Sequence, residues 1–354
     1  MHSSQVIVYV SAAGRGDIHV LRPLGGTQHQ GAPMSAQWQP MQRFELGGAI
    51  MPMALSPRRD RLYAVSRSAP FVVHTMAVDS RTGHLSLLGT SPLAGNMVYV
   101  STSLDGRHLL TASYGDDLIA VNAIEADGTV GPTLQVLNTP RQAHAICPAP
   151  DGRHVWVSCL GADQLLCYGL DSPSGQDQAA RPLSAEPLLR HPCRAGSGPR
   201  HLAFHPNGRW LFVINELDGS VDGLTLGDSG QPPTPLSHAR ILPADRPVTP
   251  WSAELRISPD GQWLFASDRR AATLSALRID TGSGQLTLVD CIPTEALPRS
   301  FALSPDGRTL FVASQETGRL SIIGFEPGTG RMRHQSQLDC GTSPTWVEAI
   351  ELPS

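Results

Sequence analysis

Lysine is absent from this chain of 354 residues, so all 27 of its Lys-plus-Arg positions are arginine. That absence excludes Schiff-base chemistry and the lysine of a P-loop. Any anion site must then be built from arginine, histidine and backbone amides. Cysteine is scarce. Cys147, Cys159, Cys167, Cys193, Cys291 and Cys340 show no C-x-x-C spacing and no small-domain framework, so neither a zinc site nor a redox pair is expected. Long apolar runs are missing too. The opening stretch "MHSSQVIVYVSAAG" lacks a basic n-region and reads as a strand, not as a leader or a membrane span. No membrane partner is expected, and the expected compartment is the reducing cytoplasm. The net charge is −4 with no basic run, which argues against a nucleic-acid partner.

Familiar catalytic signatures are also lacking. There is no G-x-S-x-G elbow, no H-E-x-x-H, no Walker loop and no G-x-G-x-x-G. What remains is water activation by a carboxylate or an imidazole, with cationic stabilisation of an oxyanion.

Glycine (34) and proline (30) are plentiful, which suits a protein of many tight turns. Those turns repeat. "ALSPRRDRLYAVS" at 54–66, "STSLDGRHLLTAS" at 101–113 and "CPAPDGRHVWVSC" at 147–159 align on a P-D-G type turn between two apolar strands. "AFHPNGRWLFVIN" at 203–215, "RISPDGQWLFASD" at 256–268 and "ALSPDGRTLFVAS" at 302–314 continue the series. The third turn position falls at 59, 106, 152, 208, 261 and 307, giving spacings of 47, 46, 56, 53 and 46 residues. Two weaker strands follow each hairpin, as in "VVHTMAVD" with "HLSLLGTSPL". Four strands per unit of about 45 residues predict a β-propeller blade.

Six units leave both ends of the chain over. The N-terminal part offers three strands, "VIVYVS", "IHVLRPL" and "MQRFELG", and the C-terminal part offers one, "TWVEAI". Joined, they make a seventh blade and leave the ring without an open edge. The expectation is an all-β, seven-bladed propeller with four antiparallel strands per blade, forming a single domain over residues 1–354. Residues 171–198 read as a blade-edge loop, and 26–41 as a polar surface insertion.

In a propeller the first strand of each blade lines the central channel, and the turns after the second strand open on one face. Eight residues before each turn position stand Met51, Val98, His144, Arg200, Ala253 and Arg299. Eight residues after it stand Arg67, Tyr114, Leu160, Glu216, Arg269 and Gln315. His201 and Glu254 lie one step beyond the earlier set. A ring of Arg67, His144, Arg200, His201, Glu216, Glu254, Arg269, Arg299 and Gln315 is therefore expected at one channel mouth. Four arginines at one opening suit a small substrate with more than one negative charge. A set of side chains that merely neutralise one another is the competing reading.

The pieces "GPRHLAFHPNGRWLFVINEL", "WSAELRISPDGQWLFASDR", "LPRSFALSPDGRTLFVAS" and "GTSPTWV" resemble the seven-bladed lactonase family, and within it the bacterial 6-phosphogluconolactonase branch. The likeness covers essentially the whole chain. In the wider fold family of fungal carboxymuconate-lactonising enzymes, the proposed histidine, arginine, glutamate, arginine set falls on His144, Arg200, Glu216 and Arg269. Cys159 departs from the aspartate that many relatives carry there. The resemblance implies hydrolysis of a phosphorylated sugar-acid lactone by water attack, as in the pentose phosphate pathway. Glu216 or His144 would be the base, with Arg200 and Arg269 near the reacting carboxyl end. Arg67 and Arg299 are candidates for the phosphate, and His201, Glu254 and Gln315 complete the substrate-binding set. No cofactor or metal is expected, because the ring holds only two carboxylates and no oxygen cage. The partner expected is the phosphosugar lactone, and the chain is expected to be a monomer or weak dimer. Two other functions stay open: a lactonase or lactonising cyclase for an unphosphorylated acid, and a non-catalytic binding propeller.

Overall fold

The computed structural model describes residues 5–24, 37–170, 181–227 and 231–352. Among these residues the strands form seven four-stranded antiparallel sheets arranged as a ring. Blade one runs through Ile50–Leu55, Arg61–Ser66, Val72–Val78 and Leu85–Pro92, and blades two to six follow in sequence order. Blade seven is composite. Its innermost strand, Pro344–Leu352, pairs with Gln5–Ala12, which continues outward through Asp17–Pro23 and Trp38–Glu45.

The turn chemistry explains the repeat. At all six turn positions the backbone is left-handed: Gly106, Gly152, Gly208, Gly261 and Gly307 have φ between 67° and 72°, and Arg59 has φ 58°. Glycine adopts that conformation without a Cβ penalty. The residue before it accepts a main-chain hydrogen bond on its side chain, as Arg107 N to Asp105 Oδ1 at 3.1 Å and Arg209 N to Asn207 Oδ1 at 2.9 Å. Such Asx turns set the direction of the second strand.

Between neighbouring blades lie seven apolar clusters. Trp263 and Phe265 of blade five, for example, pack against Phe301, Val312 and Phe325 of blade six, with the rings of Phe265 and Phe325 edge to face at 4.7 Å. Burying one such phenylalanine is worth roughly 1.5–3 kcal/mol.

Two expected loops are corrected. Of the segment 171–198, residues 171–180 lie outside the described residues, and Leu189–Pro192 is the fourth strand of blade three. Of 26–41, residues 26–36 lie outside the described residues, while Trp38–Met41 opens the outermost strand of blade seven with Trp38 buried. In both cases a short edge strand, half wetted and rich in polar residues, resembles a loop in sequence.

One irregularity recurs in every blade. The innermost strand slips its register against the second strand, and the residues passed over are Met51 and Pro52, Val98, His144, Arg200, Ala253 and Glu254, Arg299 and Thr345. A β-bulge re-aims the side chain it leaves unpaired. The bulges therefore coincide with the positions eight residues before each turn, with one residue passed over in five blades and two in blades one and five.

Candidate active site

The residues eight positions after each turn are equivalent as well. Arg67, Leu160, Glu216, Arg269 and Gln315 each donate a backbone N–H to the residue eighteen before, at 2.7 to 3.0 Å. Both sets thus converge on one mouth, and Arg200 and Glu216, at opposite ends of an apolar hairpin, meet there.

Glu216 is the hub. Arg200 Nε lies 2.9 Å from Glu216 Oε2, and Arg269 Nη2 from the next blade donates to the same oxygen at 2.6 Å. The other oxygen accepts from Trp251 Nε1 at 3.3 Å. Burial works to raise the Glu216 pKa, but Arg200 and then Arg269 outweigh it and hold the carboxylate below its usual range. The oxygens of this carboxylate are thus committed to Arg200, Arg269 and Trp251, which leaves them poorly placed to take a proton from water.

Arg200, 2% exposed, spends Nη1 on Ala253 O at 2.5 Å and on His201 Nε2 at 3.1 Å. A guanidinium has no acceptor, so it donates to the ring and Nε2 carries the lone pair. His201 Nδ1–H then donates to Glu254 Oε1 at 2.9 Å. Burial, followed by the field of Arg200, lowers the His201 pKa to about 4, so the ring is neutral. Glu254, 3% exposed, is also approached by Ser300 Oγ at 3.3 Å and Arg256 Nη2 at 3.6 Å. Burial opposes its ionisation, yet Arg256 and His201 pull its pKa down to about 2.

His144 differs. It is buried, its Nδ1 has no hydrogen-bond partner, and burial followed by Arg200 pushes its pKa well below the usual histidine value. Two rings flank it, Tyr114 at 5.8 Å and His201 at 5.1 Å. Tyr99 and Trp346 extend that layer, at 5.1 and 5.8 Å from His201 and 5.5 Å from each other. These rings are contributed by blades two, three, four and seven.

Arg299 has no hydrogen-bond or ion-pair partner among the described residues. Burial, and then Arg200, Arg269 and Arg67, lower its pKa to about 9. Arg67 donates Nε to Asn96 Oδ1 at 2.8 Å and rests Nη1 on Met51 Sδ at 3.4 Å. Four guanidiniums thus face one accessible carboxylate. Gln315 takes its expected backbone place, but its side chain makes no hydrogen bond to the cluster among the described residues.

Several contributors were not singled out from the sequence. Trp251 and Asn96 both stand ten residues before a turn, and each meets the side chain eight residues after the previous turn. Arg256 follows Glu254 by two, the strand period that returns to one face. Thr345 is the bulge residue of blade seven.

The model of the lactonase family, described as a seven-bladed beta-propeller, matches residues 30–349. The chain belongs to that family. Within the lactonase propellers it is 34% identical over 297 residues, 84% of each chain, to a 6-phosphogluconolactonase of Pectobacterium atrosepticum. It is 32% identical over 348 residues to a 6-phosphogluconolactonase of Pectobacterium carotovorum subsp. carotovorum, covering 98% of this chain and 99% of that one. Among solved structures, the periplasmic gluconolactonase PpgL of Pseudomonas aeruginosa superposes with a TM-score of 0.87 at 26% identity, over 99% of both chains.

Proposed function

We propose that this lactonase hydrolyses 6-phospho-D-glucono-1,5-lactone to 6-phosphogluconate, with His144 as general base. The observation that carries the reading is Arg299, which feels Arg200, Arg269 and Arg67 and only one opposing charge, Glu216, itself already paired with Arg200 and Arg269. That surplus of positive charge suits an anionic ligand, and a phosphate dianion beside Arg299 and Arg67 would balance it. Relatives named 6-phosphogluconolactonase over most of the chain support the same substrate.

The chemistry follows from which donors and lone pairs are unspent. His201 Nε2 is taken by Arg200 and Glu216 by two arginines, whereas His144 makes no hydrogen bond among the described residues; its Nδ1 is buried, which leaves Nε2 as the nitrogen for water. His144 accepts a proton as water attacks the lactone carbonyl. Arg200 Nη2 and Arg269 Nη1, without protein partners among the described residues, are the donors for the oxyanion. As the ring C–O bond breaks, the proton passes from His144 to the departing hydroxyl oxygen. The new carboxylic acid then ionises to solvent. Both carboxylates of the mouth are neutralised by basic side chains, so no metal enters the scheme. The six free thiols support a reducing, cytoplasmic setting.

The likeness to a gluconolactonase makes the unphosphorylated lactone the rival substrate. Turnover of 6-phosphogluconolactone and of plain gluconolactone, each corrected for spontaneous opening, separates the two. We expect a higher kcat/KM for the phosphorylated lactone, and Arg299→Gln to abolish that preference. Equal kcat/KM on both lactones in the unsubstituted protein would remove the phosphate anchor. Hydrolysis no faster than the spontaneous rate would leave a binding propeller.

A further inference from the structure

Trp38, Trp156, Trp210, Trp263 and Trp346 are each at most 6% exposed and sit in the cores between blades. The sixth tryptophan, Trp251, belongs to none of those cores and is partly exposed. An indole left out of the core leaves its burial energy unused. Its contacts show where it is employed instead.

Arg269 stacks on the indole with Cζ 3.9 Å from the ring centroid. The Trp251 carbonyl accepts from Arg269 Nε at 3.2 Å, and Trp251 Nε1 donates to Glu216 Oε1 at 3.3 Å. The Trp251 backbone N–H is itself fixed by Asp268 Oδ2 at 2.9 Å. One residue therefore touches both members of the ion pair that crosses from blade four to blade five. Arg269 has two of its nitrogens bound by the protein, Nε to Trp251 and Nη2 to Glu216 and Ser252 O, and Nη1 is left over. The indole also lines a cavity of about 330 Å³ with Arg270 and Leu297, so solvent reaches it.

We propose that Trp251 is a positioning residue for the hydrolytic step. It holds Arg269 face-on and Glu216 edge-on, so that Arg269 Nη1 is presented to the lactone carbonyl oxygen. Cation stacking fixes the plane of the guanidinium, which two hydrogen-bonded nitrogens alone leave free to rock. The indole N–H fixes the rotation of the carboxylate that pulls on it. This inference rests on the hydrolase reading above.

The test uses Trp251→Phe, which keeps a ring under Arg269 but removes the N–H, and Trp251→Leu, which removes both. With 6-phosphogluconolactone, Trp251→Leu should lower kcat about tenfold with KM little changed, and Trp251→Phe about threefold. Melting temperatures should stay near that of the unsubstituted protein, since no core is touched. In an Arg269→Gln background, Trp251→Leu should cost almost nothing further. Adding 6-phosphogluconate should change the tryptophan emission of the unsubstituted protein, and Trp251→Phe should lose most of that change, leaving what Trp346 contributes. A Trp251→Leu enzyme with unaltered kcat overturns the proposal, as does a full extra loss without Arg269 or an equal emission change in Trp251→Phe. If the unsubstituted protein hydrolyses no lactone, the hydrolase reading falls and takes this role with it. If it does and Trp251→Leu matches it, only the role of Trp251 falls.

Discussion

The rings of His144 and His201 lie 5.1 Å apart, yet both nitrogens of His201 are engaged while Nδ1 of His144 has no partner. Two histidines of the same layer thus have opposite capacities. His201 transmits order from Glu254 to Arg200, and His144 is left uncommitted by hydrogen bonds among the described residues.

His144→Gln should therefore lower kcat by about 10²- to 10⁴-fold, the span of a general base, with an intact fold. His201→Gln should lose less rate and more thermal stability, because it unpairs both Glu254 and Arg200. Steady-state kinetics and thermal melts on the two variants check this. Equal kcat losses would mean that the two rings share the proton.

Acid should act on stability before it acts on the base. The folded pKa of His201 is about 4, below the unfolded value near 6.5, so between those values the unfolded chain binds the extra proton. The stability of the folded state is thus fully present above pH 6.5 and is lost as pH falls toward 4. Glu254, at about 2 against 4.5, adds a second loss below pH 4.5 in the same direction. Melting temperature should decline from pH 6.5 downward, and His201→Gln should flatten the decline between 6.5 and 4. Since the His144 pKa is also depressed, kcat should stay level through pH 6.5, and a kcat falling below pH 7.5 would contradict that.

Glu216→Gln keeps the shape of the hub and removes its charge. Arg200 and Arg269 then repel each other without compensation, at a cost of a few kcal/mol. The expected result is a lowered melting temperature and a raised KM, with kcat falling less than in His144→Gln. A loss of 10²-fold or more in kcat with unchanged stability would instead make Glu216 the base.

Chelation should leave turnover unchanged. Glu216 is held by Arg200 and Arg269, and Glu254 by His201 and Arg256, so a divalent cation would have to break ion pairs to find ligands. Activity lost in EDTA and restored by calcium or magnesium would refute this.

The ring architecture was legible because six blades repeat one turn, marked in five of them by a left-handed glycine after aspartate or asparagine. The candidate cluster was legible for the same reason, since the eight-residue offsets land on the bulges and on the residues whose backbone N–H closes each hairpin. Trp251 escaped because its position, ten residues before the turn, holds alanine, asparagine, glutamine, glycine and leucine in the other blades and shows no common chemistry. Thr345 escaped because blade seven is split between the two ends of the chain and lacks a turn of the series. Only three dimensions could show that Glu216 answers two arginines from adjacent blades, or that Arg299 answers none.

The rings of Tyr99, His144, His201 and Trp346 form one layer beside the four arginines. A ligand held there meets the same positive field on arrival and on departure. Opening a lactone adds a carboxylate, so the departing molecule carries one more negative charge than the arriving one and is gripped harder by the same field. Dissolved salt, which screens that field, therefore has two opposite effects: it slows arrival at low substrate, and it loosens the hold on the product.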